Sequence, residues 1–217
     1  MVQVQNPLAV ISPTLDANVL AVLALAPEAR FTTGQLQRLV PSDDQGTPRS
    51  IPGIRRVLER LVEQGIVLSE QAGRTALYRL NREHLAADHI VALARLRNEL
   101  LDRMEQELDT WRPQPVYAAM FGSAARGQMR PDSDIDVFIV WADADQARAG
   151  EARTSAFADQ VTRWTGNDTR LLIWTADEVL ERAGREPVLG FIAEDALTLC
   201  GNGAWLRGVL QAAQVTT

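Results

Sequence analysis

Lysine is absent from this sequence of 217 residues, and all 22 of its basic side chains are arginines. The absence excludes two classes of nucleotide-using protein. A P-loop needs a lysine beside the phosphates of its nucleotide, and a ligase that works through a lysyl–nucleotide intermediate needs a lysine nucleophile. Neither class is compatible with this chain.

Cysteine and long hydrophobic runs are also scarce. The one cysteine, Cys200, cannot form a disulfide within the chain, which suits a reducing cytoplasm. The apolar run 19–26 has no basic residue before it and follows Asp16, so we expect a core helix rather than a signal sequence. No run approaches the length of a membrane span. We therefore expect a cytoplasmic protein without a membrane partner.

The net charge of −6 is unevenly distributed along the chain. Residues 1–82 contain nine arginines and seven acidic residues, a net charge of +2. Residues 83–217 contain 13 arginines and 21 acidic residues, a net charge of −8. Binding to nucleic acid therefore has to come from a local patch, and the N-terminal part holds the basic excess.

The N-terminal part has the pattern of three helices followed by a β-hairpin. Apolar residues at helical spacing and flanking Gly and Pro residues set the expected bounds. We expect helices from Thr14 or Asp16 to about Ala26, from Thr33 to Val40, and from about Ser50 to Gln64. Strands at 66–70 and 75–80 flank a Gln-Ala-Gly-Arg turn.

The stretch GIRRVLERLVEQGIVLSEQAGRTALYRL resembles the winged helix-turn-helix domains of bacterial transcription regulators, and the resemblance covers about residues 15–82. It implies that the third helix reads DNA and that Gly73-Arg74 forms the wing tip. The predicted DNA-binding residues are Arg49, Arg55, Arg56, Arg60 and Arg74. Winged helices also serve as protein-interaction modules, and Glu59 and Glu63 on the same helix leave that alternative open.

Residues 83–109 contain neither Gly nor Pro, and their apolar residues recur at steps of three and four, which predicts one long helix. The helix is expected to form a homodimer or to pack as a connector between two domains, and the pattern does not separate these alternatives. Trp111-Arg-Pro-Gln-Pro115 ends it. The predicted domains are 1–82, a connecting helix within 83–112, and 113–217.

From Val116 onward, strand and helix patterns alternate, which predicts a small α/β domain. Within it, Asp134 and Asp136 are two residues apart at the start of an apolar strand, so their side chains share one face. Two neighbouring carboxylates in apolar surroundings imply a bound cation or another positive partner, and Mg²⁺ fits the oxygen ligands. The alternative is a solvated strand end.

The motif GSAARG followed by DSDIDVFIV resembles the signature of the nucleotidyltransferase superfamily that includes DNA polymerase beta, and is most similar to minimal nucleotidyltransferases of bacteria and archaea. The whole chain is thus expected to be α/β (α+β), with a mixed sheet in the C-terminal domain. By the resemblance, Gly122 and Ser123 would hold the phosphates of a nucleoside triphosphate, ATP above all, at a helix N-terminus. Asp134 and Asp136 would hold Mg²⁺ and perform the catalytic role.

Two further residues of the motif have open roles. Arg126 is expected to steady the loop or to contact phosphate, and the alternative is a salt bridge with Asp132 or Asp134. Ser133 is expected to brace the loop before the metal pair.

One departure from the family pattern limits the functional prediction. Active members usually have a third carboxylate on a neighbouring strand, often as a general base, and the strand Thr169–Trp174 has none. We expect Leu171 or Ile173 at that place; the nearest acids are Asp168, Asp177 and Glu178.

Two functions follow from this pattern. The first is a Mg²⁺-dependent nucleotidyltransferase, an adenylyltransferase that modifies a small hydroxyl compound or a protein such as a HEPN-type toxin, with the winged helix regulating its own operon. The second is a transcription regulator whose transferase fold binds a nucleotide or a partner without turnover.

Overall fold

The computed structural model describes residues 8, 14–42, 46–127, 129 and 133–215. Asp132 and most of the predicted loop 128–133 lie outside the described residues. The chain separates into two compact units, one ending at Arg97 and the other beginning at Asn98. The three-part division predicted from the sequence stays a prediction.

The first unit contains four helices and one hairpin. Their bounds are α1 Leu15–Leu25, α2 Thr33–Leu39, α3 Ile51–Glu63, β1 Val67–Ala72, β2 Thr75–Leu80 and α4 Ala87–Ala94. The order of three helices and a hairpin is as predicted. Helix α2 begins in a capping box between Thr32 and Gln35, and the Ser50 side chain accepts a hydrogen bond from the first turn of α3.

The hairpin is joined to the helices by a short bridge. Phe31, between α1 and α2, exchanges two main-chain hydrogen bonds of 2.8 Å with Tyr78 of β2. Strands β1 and β2 meet at a two-residue turn, Gly73-Arg74, in which Gly73 has φ +62°. The core beneath them consists of fully buried aliphatic side chains, among them Leu23, Leu36, Ile54, Leu58 and Leu80.

The single long helix predicted over 83–109 is wrong. The structure has α4 and a separate helix, α5 Leu96–Asp109, with a non-helical Arg95 between them. The side chains of Asn81 and His84 accept hydrogen bonds from nearby main-chain amides, which delays the start of α4 until Ala87. Helices α4 and α5 bury their apolar residues in different cores, so tertiary packing decides the break.

The second unit is an α/β structure with a mixed sheet, as predicted. After α5 its elements are β3 Tyr117–Phe121, α6 Gly122–Ala125, β4 Ile135–Trp141, α7 Ala144–Thr165, β5 Thr169–Thr175, α8 Ala176–Arg182, α9 Pro187–Asp195, β6 Leu197–Gly201 and α10 Gly203–Val215. The sheet order is β5-β4-β3-β6, with β4 and β5 parallel and the other neighbours antiparallel. Helix α10 was not predicted.

Strand β4 is central and is buried on both faces, as its apolar composition predicts. One face, with Val137, Ile139 and Trp141, packs with residues of α5 and α7. The other face, with Phe138 and Val140, packs with residues of α8, α9 and α10. Within the described part of the chain, no helix combines the length and apolarity needed to cross a membrane.

Candidate functional site

The carboxylates of Asp134 and Asp136 lie where β3 ends and β4 begins. Asp134 directly precedes β4, and Asp136 is its second residue, paired across the antiparallel ladder with Phe121, the last residue of β3. Both side chains are half-buried, and Asp134 is 23% exposed. The two carboxylates are therefore not the freely solvated strand end of the alternative interpretation.

Gly122 places main chain directly against the Asp136 carboxylate. Its φ of +72° is in the left-handed region that favours glycine. A Cβ atom added at Gly122 would lie 2.5 Å from Oδ2 of Asp136, closer than real contacts allow. Glycine is thus required here by the backbone angle and by the close approach of the carboxylate.

Ser123 follows Gly122 within α6, which has only four residues. A single turn has too few aligned peptide dipoles to attract an anion strongly, so the predicted contribution of a helix N-terminus is small here. The groups that could still donate hydrogen bonds to an anionic ligand are the glycine main chain and the hydroxyl group of the half-buried Ser123.

The electrostatic balance at Asp136 favours a bound cation. Burial raises the pKa of Asp136, and the negative charge of Asp134 raises it further. The positive charges of Arg170 and Arg126 act in the opposite direction but do not cancel the shift. Ionised Asp136 is therefore held at a cost in free energy that a cation beside the pair would relieve.

Arg170 belongs to this site and was missed by the sequence-based prediction. It lies opposite Asp136 in the parallel ladder between β4 and β5, so its side chain leaves the same face. Its Nη2 is 2.9 Å from Oδ2 of Asp134. Only the register between the two strands could have indicated this pairing.

The same register corrects the predicted place of the missing carboxylate. Leu171 and Ile173 are paired with Val137 and Ile139, so they leave the face opposite to Asp136. A carboxylate at either position would point away from the site. On the Asp136 face, β5 instead presents Arg170 and then residue 172, a leucine.

The three acids named from the sequence, Asp168, Asp177 and Glu178, do not supply the missing group. The main-chain carbonyl of Asp168 accepts a hydrogen bond from the Ile135 amide at 2.8 Å, and the Asp168 side chain is exposed. Asp177 and Glu178 are in the first turn of α8, beyond the far end of β5 and about 16 Å or more along the strand from the level of Asp136. Glu178 also caps α8 by accepting a hydrogen bond from the Thr175 amide.

Arg126 and Ser133 lie at the edge of the site. Nη1 of Arg126 is 3.6 Å from Oδ2 of Asp195, the last residue of α9, an ion pair that the sequence did not indicate. The Ser133 carbonyl accepts a hydrogen bond of 2.9 Å from the buried Asn167 side chain, which holds the chain just before Asp134. Ser133 therefore helps to hold the chain before Asp134 through its main-chain carbonyl group.

The donor set fits one kind of metal ion. Among the described residues, no group of three or more His, Cys, Asp or Glu side chains is placed to hold a metal ion. Two carboxylates beside a glycine main chain suit an ion that keeps water or phosphate oxygens among its ligands, as Mg²⁺ does, and do not suit an all-protein cage.

The five arginines predicted to contact DNA have different surroundings. Arg55 and Arg56 are exposed on α3, on the side away from its buried residues, and Arg74 is exposed at the hairpin turn. Arg60 forms an ion pair with Asp16 of α1. Nε of Arg49 donates to the carbonyl of the residue at position 41, at 3.2 Å, so this side chain is engaged within the first unit.

Comparison with known proteins gives a match in the second unit. No curated protein matches the chain. Among solved structures, a toxin–antitoxin complex with AMP-PNP is 18% identical, with 54% of this chain and 85% of that chain covered and a TM-score of 0.38. The tri-AMPylated Shewanella oneidensis HEPN toxin in complex with MNT antitoxin is 15% identical, with 55% of this chain and 84% of that chain covered and a TM-score of 0.36.

A third structure, the archaeal chromatin protein TrmBL2, is 14% identical over 88% of this chain and 78% of its own, with a TM-score of 0.28. Structural likenesses of this degree carry no argument about function. The family model described as nucleotidyltransferase domain matches residues 98–193, which include Gly122, Asp134 and Asp136. The match agrees with the resemblance to nucleotidyltransferases over this part of the chain.

Proposed function

We propose that the second unit is a Mg²⁺-dependent nucleotidyltransferase that uses ATP. The observation that carries the proposal is the contact between the Gly122 main chain and the Asp136 carboxylate, with Asp134 beside it. It brings a glycine main chain that could contact phosphate and a pair of acidic metal ligands to one point. The family match over residues 98–193 supports the same activity.

Each residue of the motif has a proposed role. The Gly122 main chain and the Ser123 hydroxyl group would bind the β- and γ-phosphates, and Arg126 would contact a phosphate oxygen. Asp134 and Asp136 would hold the Mg²⁺, and Ser133 would keep them in place through its bond to Asn167. A bound Mg²⁺ would supply charge neutralisation and alignment for attack at the α-phosphorus.

The acceptor that we propose is a hydroxyl group on a partner protein of the toxin class. The test is incubation with labelled ATP, Mg²⁺ and the product of the neighbouring reading frame, with wild type compared with Asp134→Asn and Asp136→Asn. Transfer of label by wild type alone supports the proposal. Nucleotide binding without transfer to any partner would refute the enzyme activity and leave nucleotide binding in place.

A second function is favoured by one observation, the arginine at the level of Asp136 on β5. A positioned general base typically contributes about 10²–10⁴-fold to a rate, and none lies on that face of β5. A regulator that binds nucleotide or a protein partner without turnover would keep Asp134 and Asp136 for that binding. The labelling experiment above separates the two functions.

We further propose that the first unit is a winged helix-turn-helix domain that binds DNA. The three helices, the hairpin and its bridge from Phe31 to Tyr78 support this, as do the exposed side chains of Arg55, Arg56 and Arg74. The DNA-binding test is a titration with the promoter region of its own gene at two salt concentrations. Binding through phosphates should weaken steeply as salt rises, and no binding at low salt would refute the proposal.

A homodimer through residues 83–109 was predicted from their apolar stripe, and part of that stripe is buried within the chain itself. The apolar residues Leu100, Met104 and Leu108, which contributed to the predicted stripe of 83–109, are buried in the core of their own unit. A dimer through this segment and a cytoplasmic location stay predictions. Sedimentation of the full chain over a range of concentrations tests the former.

A further inference from the structure

We propose that Arg170 is a built-in counter-ion of the carboxylate pair, which keeps a divalent ion out of the site until nucleotide phosphates draw the arginine away. The inference rests on the proposed nucleotide-binding function and adds an order of binding to it. In this order of binding, a metal ion binds together with the nucleotide and not before it.

The first support is the position of the guanidinium group. Arg170 is at the level of Asp136 on the neighbouring parallel strand and faces the same way. Its Nη2 lies 2.9 Å from Oδ2 of Asp134. A positive group therefore occupies the side of the carboxylate pair on which a third acidic ligand would complete a metal site.

The second support is the local charge. Among the described residues, the two carboxylates and the Arg170 guanidinium group leave a single net negative charge, and Arg126, whose charge also acts on Asp136, is itself paired with Asp195. A divalent ion entering alone would have to displace the guanidinium group from Asp134 or bind beside a like charge. A nucleotide changes the balance, because its phosphate oxygens offer new partners to the metal ion and to the arginine alike.

The third support is the freedom of Arg170 to exchange partners. Its side chain is 72% exposed, whereas Asp134 is 23% exposed. Because most of the Arg170 side chain is in solvent, the guanidinium group can turn from Asp134 to a phosphate without displacing packed side chains, and the phosphate replaces the ion pair that it gives up. Its planar fork of donors suits bidentate contact with a phosphate group. Arg170 would thus be a positioning residue that changes from carboxylate to phosphate as the nucleotide binds.

Mn²⁺ binding to the full chain, followed by electron paramagnetic resonance without nucleotide, tests the inference. Wild type is compared with Arg170→Gln, which removes the charge, and Arg170→Asp, which supplies a third carboxylate. Arg148→Asp is the matched control: it makes the same charge change at an exposed position near the start of α7, a helix that begins beyond the other end of β4. Circular dichroism verifies that each variant is folded.

We expect weak Mn²⁺ binding by wild type and Arg148→Asp, and binding about tenfold or more tighter by Arg170→Asp, with Arg170→Gln in between. Addition of a non-hydrolysable ATP analogue should tighten Mn²⁺ binding strongly in wild type and less in Arg170→Gln. Because Arg170→Gln removes the positive charge without adding a negative one, it preserves the test if Arg170→Asp does not fold.

Two results separate this inference from the function on which it rests. If wild type binds the analogue with Mn²⁺ while both Arg170 variants bind Mn²⁺ alone no more tightly than wild type, the counter-ion is refuted and the nucleotide site survives. If wild type binds no analogue in millimolar Mn²⁺, the proposed function fails and this inference fails with it.

Discussion

Asp136 occupies a position where its negative charge is unfavourable for the folded chain. The residue is half-buried, a second carboxylate is adjacent, and the Gly122 main chain lies against it. Burial, followed by the charge of Asp134, raises the pKa of Asp136 above its usual value. A group whose pKa is raised on folding lowers stability as the pH rises through that folded pKa.

Asp136→Asn should therefore raise the melting temperature at neutral pH while removing metal binding. The gain relative to wild type should vanish as the pH falls below 3.8, the ordinary value, because the wild-type carboxyl group is then protonated in both states. Thermal melts between pH 3 and 8 test this. Asp159→Asn, at an exposed position of α7, makes the same charge change and should leave the melting temperature nearly unaltered. A lower melting temperature for Asp136→Asn at pH 7 would contradict the assignment.

Gly122→Ala should abolish nucleotide binding and destabilise the second unit by about 1–3 kcal/mol, the usual cost of a strained backbone position. The added Cβ would meet Asp136 at 2.5 Å, so the main chain or the carboxylate has to move. Gly127→Ala is a matched control, since Gly127 also has a positive φ, +69°, but no atom within 4 Å of an added Cβ. Calorimetric titration with an ATP analogue should show loss of binding in the first variant and near wild-type binding in the second.

Helix α3 presents arginines of two kinds, and they should differ in DNA binding. Arg55→Ala and Arg56→Ala should each weaken binding and lower the salt dependence by about one released counter-ion, because their side chains are exposed. Arg60→Ala should affect binding less, because Arg60 is paired with Asp16. Fluorescence anisotropy with labelled promoter DNA at several salt concentrations measures both quantities. Equal losses in all three variants would show that the ion pair with Asp16 does not decide the contribution of Arg60.

Single elements could be predicted from the sequence better than the pairing between them. The period of two along β4 was enough to place Asp134 and Asp136 on one face, and the Gly-Ser turn located Gly122. The partner Arg170 could not be found in this way, because β4 and β5 are joined by a helix of 22 residues and neither strand specifies their register. The break at Arg95 was missed because no Gly or Pro marks it.

The whole chain should behave as two folding units. Buried apolar residues of the first unit fall within 8–94, and those of the second fall within 100–206, in separate clusters. We expect fragments 6–97 and 96–217 each to unfold cooperatively, and the second to bind an ATP analogue with Mg²⁺ as well as the full chain does. Calorimetry and titration of the fragments test this. A second fragment without a cooperative transition would contradict independent folding.

The place of Asp136 within β4 has a consequence for how the sheet assembles. A slip of β4 by one residue against its neighbours would turn Asp136 toward the face that holds Val137 and Trp141, among the apolar residues of α5 and α7. Burial of an ionised carboxylate there, without a partner, would be strongly unfavourable. The acidic residue thus selects the correct alignment of the strand while the sheet forms, before any ligand is bound.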